Sequence, residues 1–239
     1  MNKLIQQFKL IIISILIFGC GSSSSSNSTT QDSSQLDKQA KYKIVFQIQW
    51  DTDSFSTNFP SNRHFSGLIG GTHNKETTIW ANGSLASAGI EEMAETGAKT
   101  ILLQELEAIQ LQGNLESIIS EGGISSSTEN VTIEISASSD FSMLTLVSMV
   151  APSPDWFVGI QGIQLIENNN WIEEKVINLV VYDAGTDEGT TFSSTNIDNA
   201  TKENISILSS SRSDTDFENG IHFNSGIYIG TFTITKINE

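Results

Sequence analysis

The chain has 239 residues, with 28 acidic against 12 basic side chains and a formal net charge of −16. A surface of that sign repels phosphate backbones and anionic lipid heads and attracts cations, which excludes nucleic acid as a partner class. Cys20 is the single cysteine, so an intrachain disulfide is excluded and no other thiol exists to serve catalysis or a metal.

The chain opens on an address. Lys3 and Lys9 form a positive region, Leu10 to Phe18 an apolar stretch too short to span a bilayer, and Gly19 precedes the lone cysteine. In ILIFGC (15–20), Ile17 and Gly19 stand three and one before Cys20, where a lipoprotein signal peptidase reads. The pattern predicts a signal peptide over 1–19 and a lipidated Cys20. Several acyl chains, at about 0.8 kcal/mol per buried methylene, hold a soluble domain on a membrane without a spanning helix. Gly21 and Ser22 follow the cysteine, so the acidic cue for inner-membrane retention is missing, and the expected location is a bacterial cell envelope, at the outer membrane or cell surface. Cleavage removes the two lysines of the leader and takes the net charge from −16 to −18. Residues 21–34 are nearly all Ser, Asn, Thr, Gln and Gly, too poor in apolar surface to offset ordering entropy, and residues 20–40 are read as a lipidated, flexible tether. Residues 41–239 contain no internal repeat or second linker and are expected to form one monomeric domain.

Strands dominate the rest. Tyr42, Ile44, Phe46, Ile48 and Trp50 alternate with Lys43, Val45, Gln47 and Gln49, the period of a strand with one face on a core. Val131, Ile133 and Ile135 repeat the pattern, and further strands are predicted at 144–150, 158–166, 176–182 and 226–237. In the last, the apolar parity changes from Ile227 and Ile229 to Phe232 and Ile234 across Gly230, which predicts a β-bulge. Residues 87–122, rich in Ala, Glu, Leu and Gln, are expected to form two or three short helices over one end or edge of the sheets, stopped by Gly97, Gly113 and Gly122. Glu91, Glu92 and Glu95 near the first helix start favour the positive end of its dipole, a structural role preferred over an acid/base pair. The fold class is all-β with a short helical insertion.

Two runs carry the chemistry. PSPDWFVG (152–159) and DAGTDEG (183–189) place Asp155, Asp183 and Asp187 in two Gly- or Pro-rich loops flanking hydrophobic strands. Carboxylates so held bind a hard cation such as Ca²⁺, whose oxygen ligands stand about 2.3–2.6 Å away. Equally, Asp in such loops caps turns, and the residues alone leave the two readings even. Three close carboxylates without a counter-charge would repel, so an ion would relieve them. His64, His73 and His222 share no metal-ligand spacing and are read as structural or surface histidines. GLIGG (67–71) lacks the Lys-Ser/Thr of a phosphate loop and is read as a turn. No nucleophile elbow occurs. Trp156 and Phe157 are expected to close the end of a core.

The strand ending at Trp50, FPSNRHFSGLIGGTHN (59–74), IWANGSLASAGIEEMAETG (79–97), VSMVAPSPDWFVGI (147–160) and VYDAGTDEGTTF (181–192) follow one another as in the spondin N-terminal domain, which the chain resembles over residues 42–237. The resemblance implies an antiparallel two-sheet β-sandwich, similar to the C2-like calcium- and lipid-binding modules, with Ca²⁺ held by Asp155, Asp183 and Asp187. It departs from the animal members in lacking their disulfide cysteines and thrombospondin-type repeats. The expected function is a non-enzymatic, surface-tethered, calcium-binding adhesion or recognition module for an extracellular protein or glycan. The alternative is a calcium-dependent extracellular hydrolase using the same acidic loops.

Overall fold

The computed structural model describes residues 36–125, 127–208, 215–224 and 226–238; the expected signal peptide, Cys20 and most of the tether lie outside them. In chain order the strands and helices are β1 (Gln39–Ile48), β2 (His64–Phe65), β3 (Ile69–His73), α1 (Ala88–Thr96), α2 (Thr100–Leu111), β4 (Leu115–Ser120), β5 (Asn130–Ser138), β6 (Met143–Ala151), β7 (Trp156–Gln164), β8 (Ile166–Glu167), β9 (Asn170–Trp171), β10 (Glu174–Leu179), β11 (Tyr182–Asp183), β12 (Ser206–Ile207) and β13 (Gly230–Ile237). One sheet has the order β10-β13-β1-β5. The other runs β12-β11-β7-β6-β3-β4, with β2 paired to β6. Every pairing between these strands is antiparallel, giving the two-sheet sandwich.

β1 is central to its sheet and shows why the alternation was readable. Tyr42, Ile44, Phe46 and Ile48 are buried and face the other sheet, while Lys41 and Lys43 are exposed. Phe46 meets Phe65 at 5.0 Å and Phe232 at 4.8 Å between ring centroids. From β6 and β7, Leu144, Leu146, Val150, Trp156, Val158 and Ile160 complete this core.

β6 behaves differently, being buried along nearly its whole length. Its inner side chains join the sandwich core, whereas Val147, Met149 and Ala151 lie in a second cluster with Ile90, Met93, Leu102 and Leu106 of the helices. The helical pair therefore covers the outer face of the β7-β6-β3-β4 sheet, rather than an end or edge of the sandwich. A strand covered on both sides reads as a continuous apolar run because neither face needs polar residues.

The helices cap one another. Ser87 Oγ accepts from Ile90 N at 3.2 Å at the start of α1 and donates to Glu105 Oε2 of α2 at 2.6 Å. Glu105 Oε1 accepts from Gly89 N at 2.8 Å. In return, Glu92 Oε2 of α1 accepts from Ile101 N at 2.7 Å at the start of α2. Each carboxylate satisfies donors that a helix N-terminus leaves open and sits at the favourable end of that helix's dipole, so Glu92 and Glu105 are structural, with Glu92 serving the start of α2 while Glu91 alone lies in the first turn of α1.

Three local expectations are corrected. The segment 115–120 is strand β4, not a third helix, because its apolar residues add to the edge of the β3 sheet and help line the helical cluster. Gly70 and Gly71 lie inside β3, not in a turn: a Cβ at Gly71 would meet Ser117 O at 2.5 Å and one at Gly70 would meet Thr145 O at 1.9 Å. They admit close strand approach. No bulge interrupts β13, whose register with β1 runs unbroken from Gly230↔Ile48 to Ile237↔Lys41. The parity change marks the start of the strand, since residues 227–229 precede it; the register shifts lie in β3–β4 and β6–β7.

Phe46→Ala is expected to cost about 3–5 kcal/mol of stability, and Lys43→Thr on the exposed face no more than about 0.5 kcal/mol. Urea unfolding followed by tryptophan fluorescence measures both.

Candidate metal centre

The link between β6 and β7 and the turn after β11 meet where Asp183 pairs with Trp156 across the strands and Ala184 N donates to Asp155 O at 3.1 Å. Ser153 Oγ accepts from Trp156 N at 3.1 Å, which turns the 152–155 link into β7. Trp156 and Phe157 are both fully buried, Trp156 in the core between the sheets as expected, but Phe157 on the opposite face of β7, in the cluster under the helices with Trp80 and Tyr182.

Asp155 is completely buried. Its Oδ2 accepts from Thr186 N at 2.7 Å, from Asp187 N at 3.2 Å and from Thr186 Oγ1 at 3.2 Å. Its Oδ1 is buried and has no hydrogen-bond partner among the described residues. Burial, and then the charge of Asp183, push the Asp155 carboxyl up to about 7, against the opposing pull of the Thr186 and Asp187 donors. An orphaned carboxylate oxygen beside a second carboxylate is a costly arrangement in a protein interior without a cation.

Asp183, also buried, accepts from Gly185 N through Oδ1 at 2.7 Å. Gly185 has φ 74°, and a Cβ there would meet Glu203 O at 2.5 Å, so only glycine fits this tight turn. Asp187 Oδ1 accepts from Gly189 N at 2.6 Å and Oδ2 from Ile197 N at 2.7 Å. Asp187 thus closes the turn to Gly189 and ties in the segment at Ile197, while Asp155 and Asp183 are the pair whose charges act on each other. Among the described residues, no three His, Cys, Asp or Glu side chains are arranged to hold a metal ion.

Composition did not point to the groups that brace the turn from behind. Thr186 O accepts from Asn199 N at 2.8 Å and from Lys202 Nζ at 3.2 Å, and Lys202 Nζ lies 2.7 Å from Glu91 Oε1 of α1. Burial raises the Glu95 carboxyl, with a Thr186 hydrogen bond opposing it. Lys202 comes from a segment with no periodicity, so its place was legible only in three dimensions. His73 is a buried structural histidine: Nδ1 meets Asn74 O at 2.7 Å, Nε2 meets Thr145 Oγ1 at 2.8 Å, and burial lowers its pKa. His222 Nε2 lies 3.4 Å from Asp216 Oδ1 while Nδ1 accepts from Glu218 N at 3.0 Å, a second buried polar pair.

A two-sheet antiparallel sandwich closed at one end by an aspartate-bearing turn defines a class of module, and comparison with known proteins says which. The family profile Spondin_N matches residues 40–224, and the chain belongs to that family. Human Spondin-2 is 31% identical over 176 residues, covering 72% of this chain and 53% of the relative. Spondin-2 of Rattus norvegicus is 32% identical over 177 residues, and Spondin-1 of Rattus norvegicus 30% over 179, with 22% of the latter covered. The chain thus spans about half the length of the Spondin-2 relatives.

The raised Asp155 carboxyl has a pH signature. Its folded pKa lies above the unfolded value, so its contribution to stability is full below about pH 4 and is lost as pH rises to about 7. In chelator, stability is expected to fall across that window by up to about 4 kcal/mol from this group, and Asp155→Asn to flatten the profile; equilibrium unfolding at a series of pH values checks it.

Proposed function

We propose that the domain is a surface-tethered recognition module whose aspartate turn is ordered by Ca²⁺, presenting its loops to an extracellular protein or glycan. The single observation that carries the metal reading is the buried, unpartnered Asp155 Oδ1 beside Asp183. A hard dication would supply the missing counter-charge. Asp155 and Asp183 would hold it, and Asp187 would complete the set as third carboxylate only where binding draws it in, since the three are not gathered around one point without the ion. A carboxylate oxygen that accepts one N–H retains a second lone pair, so the turn-capping bonds of Asp187 and Asp183 do not exclude this.

Support for recognition comes from family membership and from the way the chain spends its residues here. Thr186 is fixed by Asp155 on one side and by Asn199 and Lys202 on the other, so the turn is a rigid platform. Loops held by a scaffold are the usual place for binding. Among the described residues no helix is long and apolar enough to cross a membrane, and the attachment proposed here is lipid on Cys20.

Calcium is expected to raise the melting temperature and chelator to lower it, with Asp155→Asn and Asp183→Asn abolishing the difference. Asp187→Asn should also lower stability without calcium, because its carboxylate accepts from both Gly189 N and Ile197 N. Equal melting with and without Ca²⁺ in the wild-type chain overturns the metal. Capture of a partner from native envelope by the full chain, with and without chelator, tests whether the ion acts in recognition.

Cys20→Ser is expected to move the protein from the membrane fraction to the soluble fraction on expression in a bacterial host with the lipoprotein pathway. Membrane association unchanged by the substitution overturns the anchor.

A further inference from the structure

Beside the aspartate turn, the loops around Phe59 and Phe192 enclose an open pocket of about 530 Å³, floored by those two rings and Pro152 and rimmed by Asn62 and Ser193. Its one ionisable lining group among the described residues is Asp216, which is 6% exposed. Asp216 ties both walls: Oδ1 accepts from Asn58 Nδ2 at 2.8 Å and Oδ2 from Phe192 N at 2.8 Å, with His222 Nε2 at 3.4 Å from Oδ1. Phe192 is fixed by rings on three sides, with centroids 5.6 Å from Trp50, 5.4 Å from Trp156 and 5.4 Å from Phe217. The pocket is therefore built rather than left over between mobile loops.

We propose that this pocket binds a side-chain-sized organic cation, the guanidinium or ammonium head of an arginine or lysine on a protein partner, with its apolar stem against Phe59, Phe192 and Pro152. Three features select that chemistry. A carboxylate offers about four acceptor sites, and among the described residues three donors face this one, which leaves capacity for a charged donor. Aromatic faces attract cations and cover the methylene stem of a long basic side chain. The chain's net charge of −16 concentrates cations at its surface and disfavours an anionic ligand in a pocket whose described lining has no basic residue. This deepens the recognition reading and rests on it, by naming the chemistry of the partner.

The test titrates the full chain with Nα-acetyl-arginine amide, with its neutral isostere Nα-acetyl-citrulline amide, and with glucose, followed by NMR or calorimetry. The arginine probe is expected to bind at least tenfold more tightly than citrulline and to weaken as salt is raised, while the citrulline response stays flat. Ser193→Lys, at an exposed rim position, brings a tethered ammonium to the mouth and should reduce arginine binding at least tenfold with an unchanged melting temperature. Asp216→Asn should abolish the preference for arginine over citrulline. Arginine and citrulline binding alike, glucose binding more tightly than either, or arginine binding untouched by Ser193→Lys overturns the proposal. If the chain still captures an envelope partner in that case, recognition stands and only the cation pocket falls; if it captures none, the recognition reading itself fails.

Discussion

The contact between Asp155 and the backbone of Thr186 and Asp187 organises one whole pole of the sandwich. A single carboxylate oxygen gathers two amides and a hydroxyl from a turn that lies more than thirty residues along the chain. That turn, in turn, hands Thr186 O to Lys202 and Asn199, and Lys202 reaches Glu91 on α1. The β6–β7 link, the segment after β11 and the helical layer are thereby joined through one residue. The arrangement leaves Asp155 Oδ1, beside Asp183, without a hydrogen-bond partner among the described residues, so it stabilises geometry at an electrostatic cost.

Sequence legibility followed the number of faces each element buries. β1 announced itself because Lys41 and Lys43 must meet water while Ile44 and Ile48 must not. β6 was found as a strand, yet its run of buried residues concealed the second layer, since period-two contrast vanishes when α1 and α2 cover the outer side. The strand LESIIS was mistaken for helix because its neighbours are helix formers and its six residues are too few to show a period. Glycines 70 and 71 looked like punctuation, whereas their role is to let β3 lie close against Thr145 and Ser117.

At the site, the loops that carry the three aspartates were legible in the sequence, but the hydrogen-bond partners of each were not. Capping and ion-binding draw on the same residue type in the same loop chemistry, and only the hydrogen-bond partners separate Asp187 from Asp155. Asp216 was invisible for a simpler reason. Its partners Asn58 and Phe192 lie 158 and 24 residues away in the chain, so no local pattern records the contact.

The direction of β1 has a consequence for how the domain faces the world. Its first residue, Gln39, begins the strand at one pole, and β1 then climbs ten residues, about 30 Å at the usual rise, to Ile48, two residues before Trp50, which packs on Phe192 beside the aspartate turn. Gln39 and the aspartate turn thus stand a strand's length apart. A ligand held at that turn would leave the Gln39 end of the sheet open.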